Sequence, residues 1–407
     1  MRLLRAGVTS LVGFVMVMTM IGPANAAAPR ITPEYFGVQD DAARPVPSGS
    51  WGTARVWAAW CSIQPTKPGP DTPTATEAAA AHLRPAFETY ANSVARRLTV
   101  SLGHPSPWVF NDHPRARAKK VTPVWYCEKA VANSTFPNVS SLRSGPVRKA
   151  YVAYVKGVIK AAQPYLDANR KNTLVLQAWN EANLGNGGTL SPEIPGTAAT
   201  WSQAARSLRK QEKLIRGIAA RMIPGQYEIT TPAMYGRKTQ LGDAYFKAQA
   251  KSRTVDSISL NFYTIHTTRM SMNDSIALWR RWAVRAKAVV RKHKSLRKLP
   301  IWISETNHNL VNWIPDQSNL TDAWASPRRQ RRLVEVTTME AIRQGFAGIQ
   351  WYQGSLTQTA VNTRPGTPAT LASAALRDEL LGRRLIGCSK KKKITKCRMT
   401  ARPGSGR

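Results

Sequence analysis

At 407 residues and 43% hydrophobic content, the chain is long and apolar enough to bury one large core or two modest ones, which excludes a mostly disordered protein. Its 59 Lys and Arg against 23 Asp and Glu give a formal charge of +36, a field that draws the protein to polyanions without saying which kind. Cell-wall polymers, acidic glycans, anionic membranes and nucleic acid all fit that balance, and so does a charge that only keeps the protein in solution.

Residues 1–26 differ from all that follows. Arg2 and Arg5 precede the apolar run AGVTSLVGFVMVMTMIG, and Ala24-Asn25-Ala26 supplies small residues for cleavage. This pattern predicts a secretory signal peptide removed after Ala26, with a retained membrane anchor as the runner-up, and hence a secreted, extracellular protein. No later segment is apolar enough to span a bilayer.

Past the signal, short apolar runs alternate with long amphipathic stretches. The runs are 35–38, 54–60, 97–103, 174–179, 227–234, 257–263, 301–305 and 347–353; the helical patterns fall at 78–97, 146–168, 201–223, 274–294, 328–345 and 370–381. Apolar residues recur in the latter at three- and four-residue spacing, as in helices packed on a sheet by one side. Strands buried on both faces and alternating with helices predict a parallel sheet, and eight such units predict a (β/α)8 TIM barrel in a single large domain, residues 27–382. A dinucleotide-binding sheet is excluded by the missing G-x-G-x-x-G turn, and no Walker-type loop appears.

Residues 383–407 form a basic C-terminal tail. Its GCSKKKKITKC segment is expected to fold back on itself. Four cysteines in an exported chain predict two disulfides; of the three pairings possible, local closure favours Cys388 with Cys397, leaving Cys61 with Cys127. No C-x-x-C or nearby His pair supplies zinc-ligand spacing, so no metal is expected.

Barrel chemistry sits where strands end, and these ends are polar and aromatic. Arg55 and Trp57 lie on the second run, His104 and Trp108 after the third, Asn180-Glu181 after the fourth, Asn261-Phe262-Tyr263 at the sixth, Glu305 at the seventh and Trp351 on the eighth. Only two of these termini carry carboxylates, Glu181 and Glu305. Two glutamates facing each other across a sugar, ~5 to 5.5 Å apart, are what a retaining glycosidase needs: one attacks the anomeric carbon and the other protonates the leaving oxygen. Glu305 as nucleophile must be ionised, with Arg55 the candidate cation beside it and Tyr263 a candidate donor. Glu181 as general acid/base must hold a proton when partly desolvated. Asn180 is placed to bond the hydroxyl next to the anomeric carbon. His104 is either a satisfied core histidine or a sugar contact, and Trp351 either a core aromatic or the platform under a sugar ring.

Trp179-Asn180-Glu181 and Ile303-Ser304-Glu305 resemble the acid/base and nucleophile strand ends of the clan-A retaining glycoside hydrolases, in the style of families 5 and 39. Over residues 30 to 380, Arg55, the SLGHPSPW segment, Tyr263 and Trp351 follow in the order that superfamily shows. Where many relatives carry His-x-Tyr on the sixth strand, this chain has Asn261-Phe262-Tyr263. The resemblance implies a secreted, monomeric glycoside hydrolase that cleaves O-glycosidic bonds of a poly- or oligosaccharide by double displacement, with Glu305 as nucleophile, Glu181 as acid/base and no cofactor. Its partners would be a carbohydrate substrate, with a cell-wall or acidic glycan in view, and an anionic surface bound through the basic tail. No specific nucleic acid is expected, since no RNP-like or helix-turn-helix pattern accompanies the charge. The alternative is a non-catalytic carbohydrate- or cell-wall-binding barrel.

Overall fold

The computed structural model describes residues 31–40, 51–103 save 68 and 71, 145–180, 201–235, 240–266, 271–310, 327–352, 368–383, 385–391 and 394–400. The signal segment, His104, Trp108, Cys127 and Glu181 lie outside the described residues. The chain opens with strands β1 (Phe36–Asp40) and β2 (Thr53–Trp57), a turn of helix α1 (Trp60–Ile63), helix α2 (Ala75–Ala91) and β3 (Arg97–Ser101). Helices α3 (Gly145–Ala161) and α4 (Gln163–Ala168) lead to β4 (Thr173–Gln177), and α5 (Trp201–Met222) to the short strands β5 (Tyr227–Thr230) and β6 (Met234–Tyr235). Then come α6 (Gln240–Lys251), β7 (Ile258–His266), α7 (Met272–Arg291), β8 (Ile301–Leu310), α8 (Pro327–Arg343), β9 (Gly348–Tyr352) and α9 (Pro368–Leu380). A separate antiparallel ribbon of β10 (Leu385–Lys391) and β11 (Ile394–Met399) follows.

All barrel ladders are parallel, in the order β5-β4-β3-β2-β1-β9-β8-β7-β6. Since β5 and β6 are two halves of one strand, this is an eight-stranded barrel closed through its fifth member. Pro232 sits at the break: without an N–H it cannot carry the ladder on. The first half pairs with β4 and the second with β7. Between them the Thr231 hydroxyl accepts from Ser259 N at 2.9 Å and donates to Ser259 O at 3.3 Å, standing in for the missing backbone bonds.

Several elements differ from the sequence expectation for identifiable reasons. Helix α2 begins at a capping box, where Glu77 N donates to the Thr74 hydroxyl (3.3 Å) and Thr74 N to the Glu77 carboxylate (2.7 Å). It ends at Ala91, and Arg97 already belongs to β3. The pattern at 146–168 is two helices, broken at Ala162 because Pro164 starts the second and cannot continue the first. Helix α6, QLGDAYFKAQAK, is not among the six expected helices.

The hydrophobic core lies between strands and helices, with Leu98, Val100, Leu174, Leu176 and Ile229 facing out of the barrel onto buried residues such as Tyr154, Val158 and Ile215. The barrel interior is polar instead. At its N-terminal end the Arg97 guanidinium lies 3.9 Å from the Trp302 ring centroid and donates to Glu228 at 2.6 Å. Gly37 sits where a Cβ would stand 2.3 Å from Thr53 Cγ2, so this narrow layer admits no side chain there. Among the described residues no helix is long and apolar enough to cross a membrane.

Between α5 and α6 one carboxylate is wholly buried. Glu212 accepts from Gln249 Nε2 at 2.6 Å and from the hydroxyls of Tyr245 and Thr254. Burial pushes its carboxyl up from 4.5 to about 7, against the pull of the Thr254, Tyr245 and Gln249 hydrogen bonds. Because the folded state holds this proton more tightly than the unfolded chain, its contribution is complete below about 4.5 and is lost as pH climbs to about 7. Denaturant titrations should therefore show wild-type stability falling, relative to Glu212→Gln, by up to roughly 3 kcal/mol between pH 4.5 and 7.5. Parallel pH profiles for the two proteins would contradict the shifted carboxyl.

Candidate active site

The C-terminal ends of the strands gather Arg55, Gln177, Asn180, Asn261, Tyr263 and Glu305. Period-two alternation on β2 turns Thr53 and Arg55 inward and Ala54 and Val56 outward to the core. Arg55 has no exposed surface, and its charge is answered from β4, from Asn180 just past the end of β4 and from β8. Nη1 donates to Glu305 Oε2 at 2.6 Å, Nη2 to Gln177 Oε1 at 2.7 Å and to Asn180 Oδ1 at 2.6 Å, and Nε to Gln177 Oε1 at 3.2 Å. The guanidinium also lies 4.9 Å from the Trp57 ring centroid.

Glu305 reaches this cluster through an irregularity of β8. Leu260 pairs with Ile303 but Asn261 pairs with Glu305, so β8 carries one residue more than its neighbour; the same extra residue appears against β9, where Ile303 pairs with Ile349 and Thr306 with Trp351. This is a β-bulge, a device that re-aims a side chain. Trp302 faces the interior, Ile303 the helices, and Ser304 the interior again, its hydroxyl 2.8 Å from Asn261 Oδ1. Strict alternation would send Glu305 outward with Ile301 and Ile303. The bulge turns it inward instead, and Thr306 then faces α7, where Trp279 Nε1 donates to its hydroxyl at 2.9 Å.

Among the described residues, three side chains donate to the Glu305 carboxylate. Tyr263 Oη serves Oε1, while Arg55 Nη1 and Asn261 Nδ2, the latter at 3.1 Å, serve Oε2. All of these bonds are to the charged form of the acid, which they favour. Glu305 retains 6% exposure and Asn180 4%, so both are buried without being sealed from the mouth. Asn180 is bridged by backbone to Ala233, and its Oδ1 accepts from Arg55 and, at 3.2 Å, from Asn261. With that oxygen committed, its amide NH2 is the donor it can offer a ligand. Tyr263 stands edge-on to Tyr352, ring centroids 5.9 Å apart, and Tyr352 O accepts from Asn307 Nδ2 at 2.9 Å.

The structure thus brings together Arg55, Asn180, Tyr263 and Glu305. Trp351, 1% exposed, belongs to the hydrophobic core cluster, with Val38 and Thr306 as ladder neighbours. His104 and Glu181 lie outside the described residues, although Glu181 directly follows Asn180. Gln177 is the residue that sequence reasoning missed. Its signal was a lone amide inside the apolar strand LVLQAW, and it grips Arg55 with Oε1 while its Nε2 donates to Thr231 O at 3.2 Å. Asn261 was visible at a strand end but carried no assigned role. Among the described residues no group of three or more His, Cys, Asp and Glu could hold a metal ion.

No family model matches the sequence, and neither does any curated protein. Solved structures do resemble the fold. A glucosidase from Croceicoccus marinus matches with a TM-score of 0.52 at 11% identity, covering 88% of this chain and 70% of its own. The Ignisphaera aggregans GH53 catalytic domain matches at 0.48 and 14%, covering 86% of this chain and 98% of its own. A glycoside hydrolase family 5 mannosidase from Rhizomucor miehei matches at 0.48 and 10%, covering 87% and 94%. At such identities the likeness is one of fold, and the glucosidase carries it.

The Arg55–Glu305 pair is buried on both sides, so removing one partner strands the other's charge. Arg55→Met should lower the unfolding free energy by about 3 to 5 kcal/mol. Glu305→Gln should also destabilise, and Arg55→Met combined with Glu305→Gln should cost clearly less than the sum of the two changes. Additive losses in denaturant titrations would show that the two charges are not coupled.

Proposed function

We propose that the protein is a secreted glycosidase that cleaves O-glycosidic bonds of a poly- or oligosaccharide with retention of anomeric configuration. The observation that carries this reading is the Glu305 carboxylate, delivered by a bulge to the barrel mouth and met there by Arg55, Asn261 and Tyr263. A carboxylate held ionised and oriented is what nucleophilic attack on an anomeric carbon requires.

In this mechanism Glu305 attacks the anomeric carbon while Glu181, the residue after Asn180, donates its proton to the departing glycosidic oxygen. A covalent glycosyl-enzyme results. Glu181 then takes a proton from water as that water displaces Glu305, restoring both side chains. Asn180, its Oδ1 held by Arg55 and Asn261, presents its NH2 to the hydroxyl beside the anomeric centre, a bond that strengthens as the ring approaches an oxocarbenium ion. Tyr263 holds one carboxylate oxygen in line. His104 is assigned to a sugar contact in the same cleft, and no cofactor enters any step.

Export fits the cysteines. Cys61 is buried and disulfide-bonded. Cys388 and Cys397 are register partners across the β10–β11 ribbon, and directly opposed residues of an antiparallel pair have Cα atoms about 4.5 to 5.5 Å apart, within the span a disulfide bridges. The pairings proposed are Cys61 with Cys127 and Cys388 with Cys397. A non-reducing peptide map should recover both linkages, and N-terminal sequencing of exported protein should begin at Ala27; a mature chain that starts at Met1, or free thiols at these positions, would contradict the assignment.

The catalytic roles are tested with aryl glycosides and plain polysaccharides. Glu305→Gln should lose turnover by about 10³-fold or more while near-UV circular dichroism shows a folded protein, since the nucleophile is replaced by an amide. Glu181→Ala should keep activity on substrates with good leaving groups and be rescued by azide as the β- or α-azide of retained configuration. The first product, read by NMR, should carry the substrate's anomeric configuration. Inversion sinks the mechanism. Sugar binding with no hydrolysis in the wild type would favour the non-catalytic barrel.

A further inference from the structure

The face opposite the Arg55–Glu305 cluster is where strands begin and helices end. Its turns are stitched into one surface by backbone bonds: Arg96 N to Gly52 O, Thr173 N to Arg96 O, Leu174 N to Gln226 O and Ile258 N to Pro300 O, all at 2.9 Å. Ala347 N donates to Ile301 O at 2.8 Å, and Ile31 N to Arg383 O at 2.9 Å. The last of these ties in the β10–β11 ribbon, whose far end is held by Arg383 Nε donating to Thr400 O at 2.8 Å and by Met399 packing on the core.

This face is strongly cationic. The turn RKHKSLRKLP, 291–300, carries five Lys or Arg and no acid, and Lys292, Lys294, Arg297 and Lys298 are exposed. Lys171, in the turn before β4, is exposed as well. In sequence, the segment LIGCSKKKKITKCRM that follows carries six Lys or Arg and again no acid. Acids nearby are engaged with other groups: Glu228 meets Arg97 at 2.6 Å, Asp256 meets Arg216 at 2.8 Å, and Glu340 holds Arg280 at 3.1 Å and Arg343. Asp167, exposed, accepts from Gln163 at 2.7 Å.

Helix dipoles favour one cation in each last turn, which accounts for Arg221, Lys251, Arg291 and Arg343. They do not account for Lys294, Lys298 and Lys171, which lie outside the α-helices, nor for Lys292 being added to Arg291 at the end of α7. The crowding is felt: desolvation and then Arg291 pull the Lys287 ammonium down to about 8, and desolvation and then Arg297 lower Arg291. Burial is the larger cause of both shifts and the neighbouring arginine adds to it, whereas Lys171, Lys292, Lys294 and Lys298 are exposed where an anion can meet them. Among the described residues the exposed large hydrophobics are four scattered aliphatics, Val94, Val284, Leu371 and Leu381, with no aromatic to insert into a bilayer or stack on bases.

We propose that this face forms a docking surface for an extended polyanion of repeated phosphate groups, which holds the protein with its mouth turned away from the polymer. The charge that dominates the composition thus serves attachment at the end of the barrel remote from Glu305, and it does not depend on what the cleft binds.

The test uses the full chain and long-chain inorganic polyphosphate. Wild type should bind in 0.15 M NaCl with an affinity that falls steeply as salt is raised. Replacing Lys171, Lys292, Lys294 and Lys298 together by Gln should weaken binding by about tenfold or more and shorten the log–log salt slope by about three, on the order of one for each phosphate no longer neutralised. An equal change of charge on the helix flanks, Arg148, Lys149, Lys156 and Lys210 to Gln, should leave both almost unchanged. Three results overturn the proposal: no binding by wild type at that salt, equal losses in the two quadruple variants, or tighter, Lys292-dependent binding to the carboxylate polymer polyglutamate or to phosphatidylglycerol vesicles than to polyphosphate.

Discussion

A guanidinium with no exposed surface sits at the mouth of this barrel, and much around it follows from the need to satisfy it. Burying a cation costs several kcal/mol unless opposite charge and hydrogen-bond acceptors close on it. Arg55 draws those acceptors from β4 and β8 and from the residue that bridges to the fifth strand, so one side chain ties distant parts of the chain into a single electrostatic unit. Each partner has a second obligation. Gln177 reaches on to Thr231, Asn180 to Asn261, and Glu305 to Asn261 and Tyr263. A group locked from two sides has little rotamer freedom left, which is the preorganisation that a reacting carboxylate requires.

The barrel interior is correspondingly layered by chemistry. At the end where strands begin, Arg97, Glu228 and Trp302 fill the bore; at the other end Arg55 is wholly buried and Glu305 keeps slight access to solvent. Both layers hold an arginine and a glutamate. The first pair packs under the Trp302 ring, and the second holds its carboxylate in a hydrogen-bonded cluster.

Much of this was legible in the sequence, and the exceptions have physical causes. Eight apolar runs between helical patterns placed the strands because periods of 2 and 3.6 are local properties of the chain. The strand ends displayed Arg55, Asn180, Tyr263 and Glu305, which stand in one chain of hydrogen bonds: Asn180 to Arg55, Arg55 to Glu305 and Glu305 to Tyr263. What no local pattern conveyed was the inward turn of Glu305. In IWISE it alternates with the outward isoleucines, and only the pairing of Asn261 with Glu305, a property of two strands together, reveals the extra residue. Gln177 was hidden for a similar reason: an amide in an apolar strand reads as an oddity until the charge it answers is located 122 residues away. Helix α6 went unread although its one-sided apolar pattern is as clear as that of α9, which is of nearly equal length.

The interruption at Pro232 has a consequence for how the cylinder closes. A sheet rolled into a barrel must return to its first strand with a fixed stagger, and any mismatch accumulated around the circle has to be absorbed somewhere. In this chain the two halves of the fifth strand are registered independently, one against β4 and the other against β7. The break works as an expansion joint. It lets each side of the circle keep its own best register, and because Thr231 and Ala233 at the joint are bonded to Gln177 and Asn180, the slack is taken up beside the residues that hold Arg55 without loosening them.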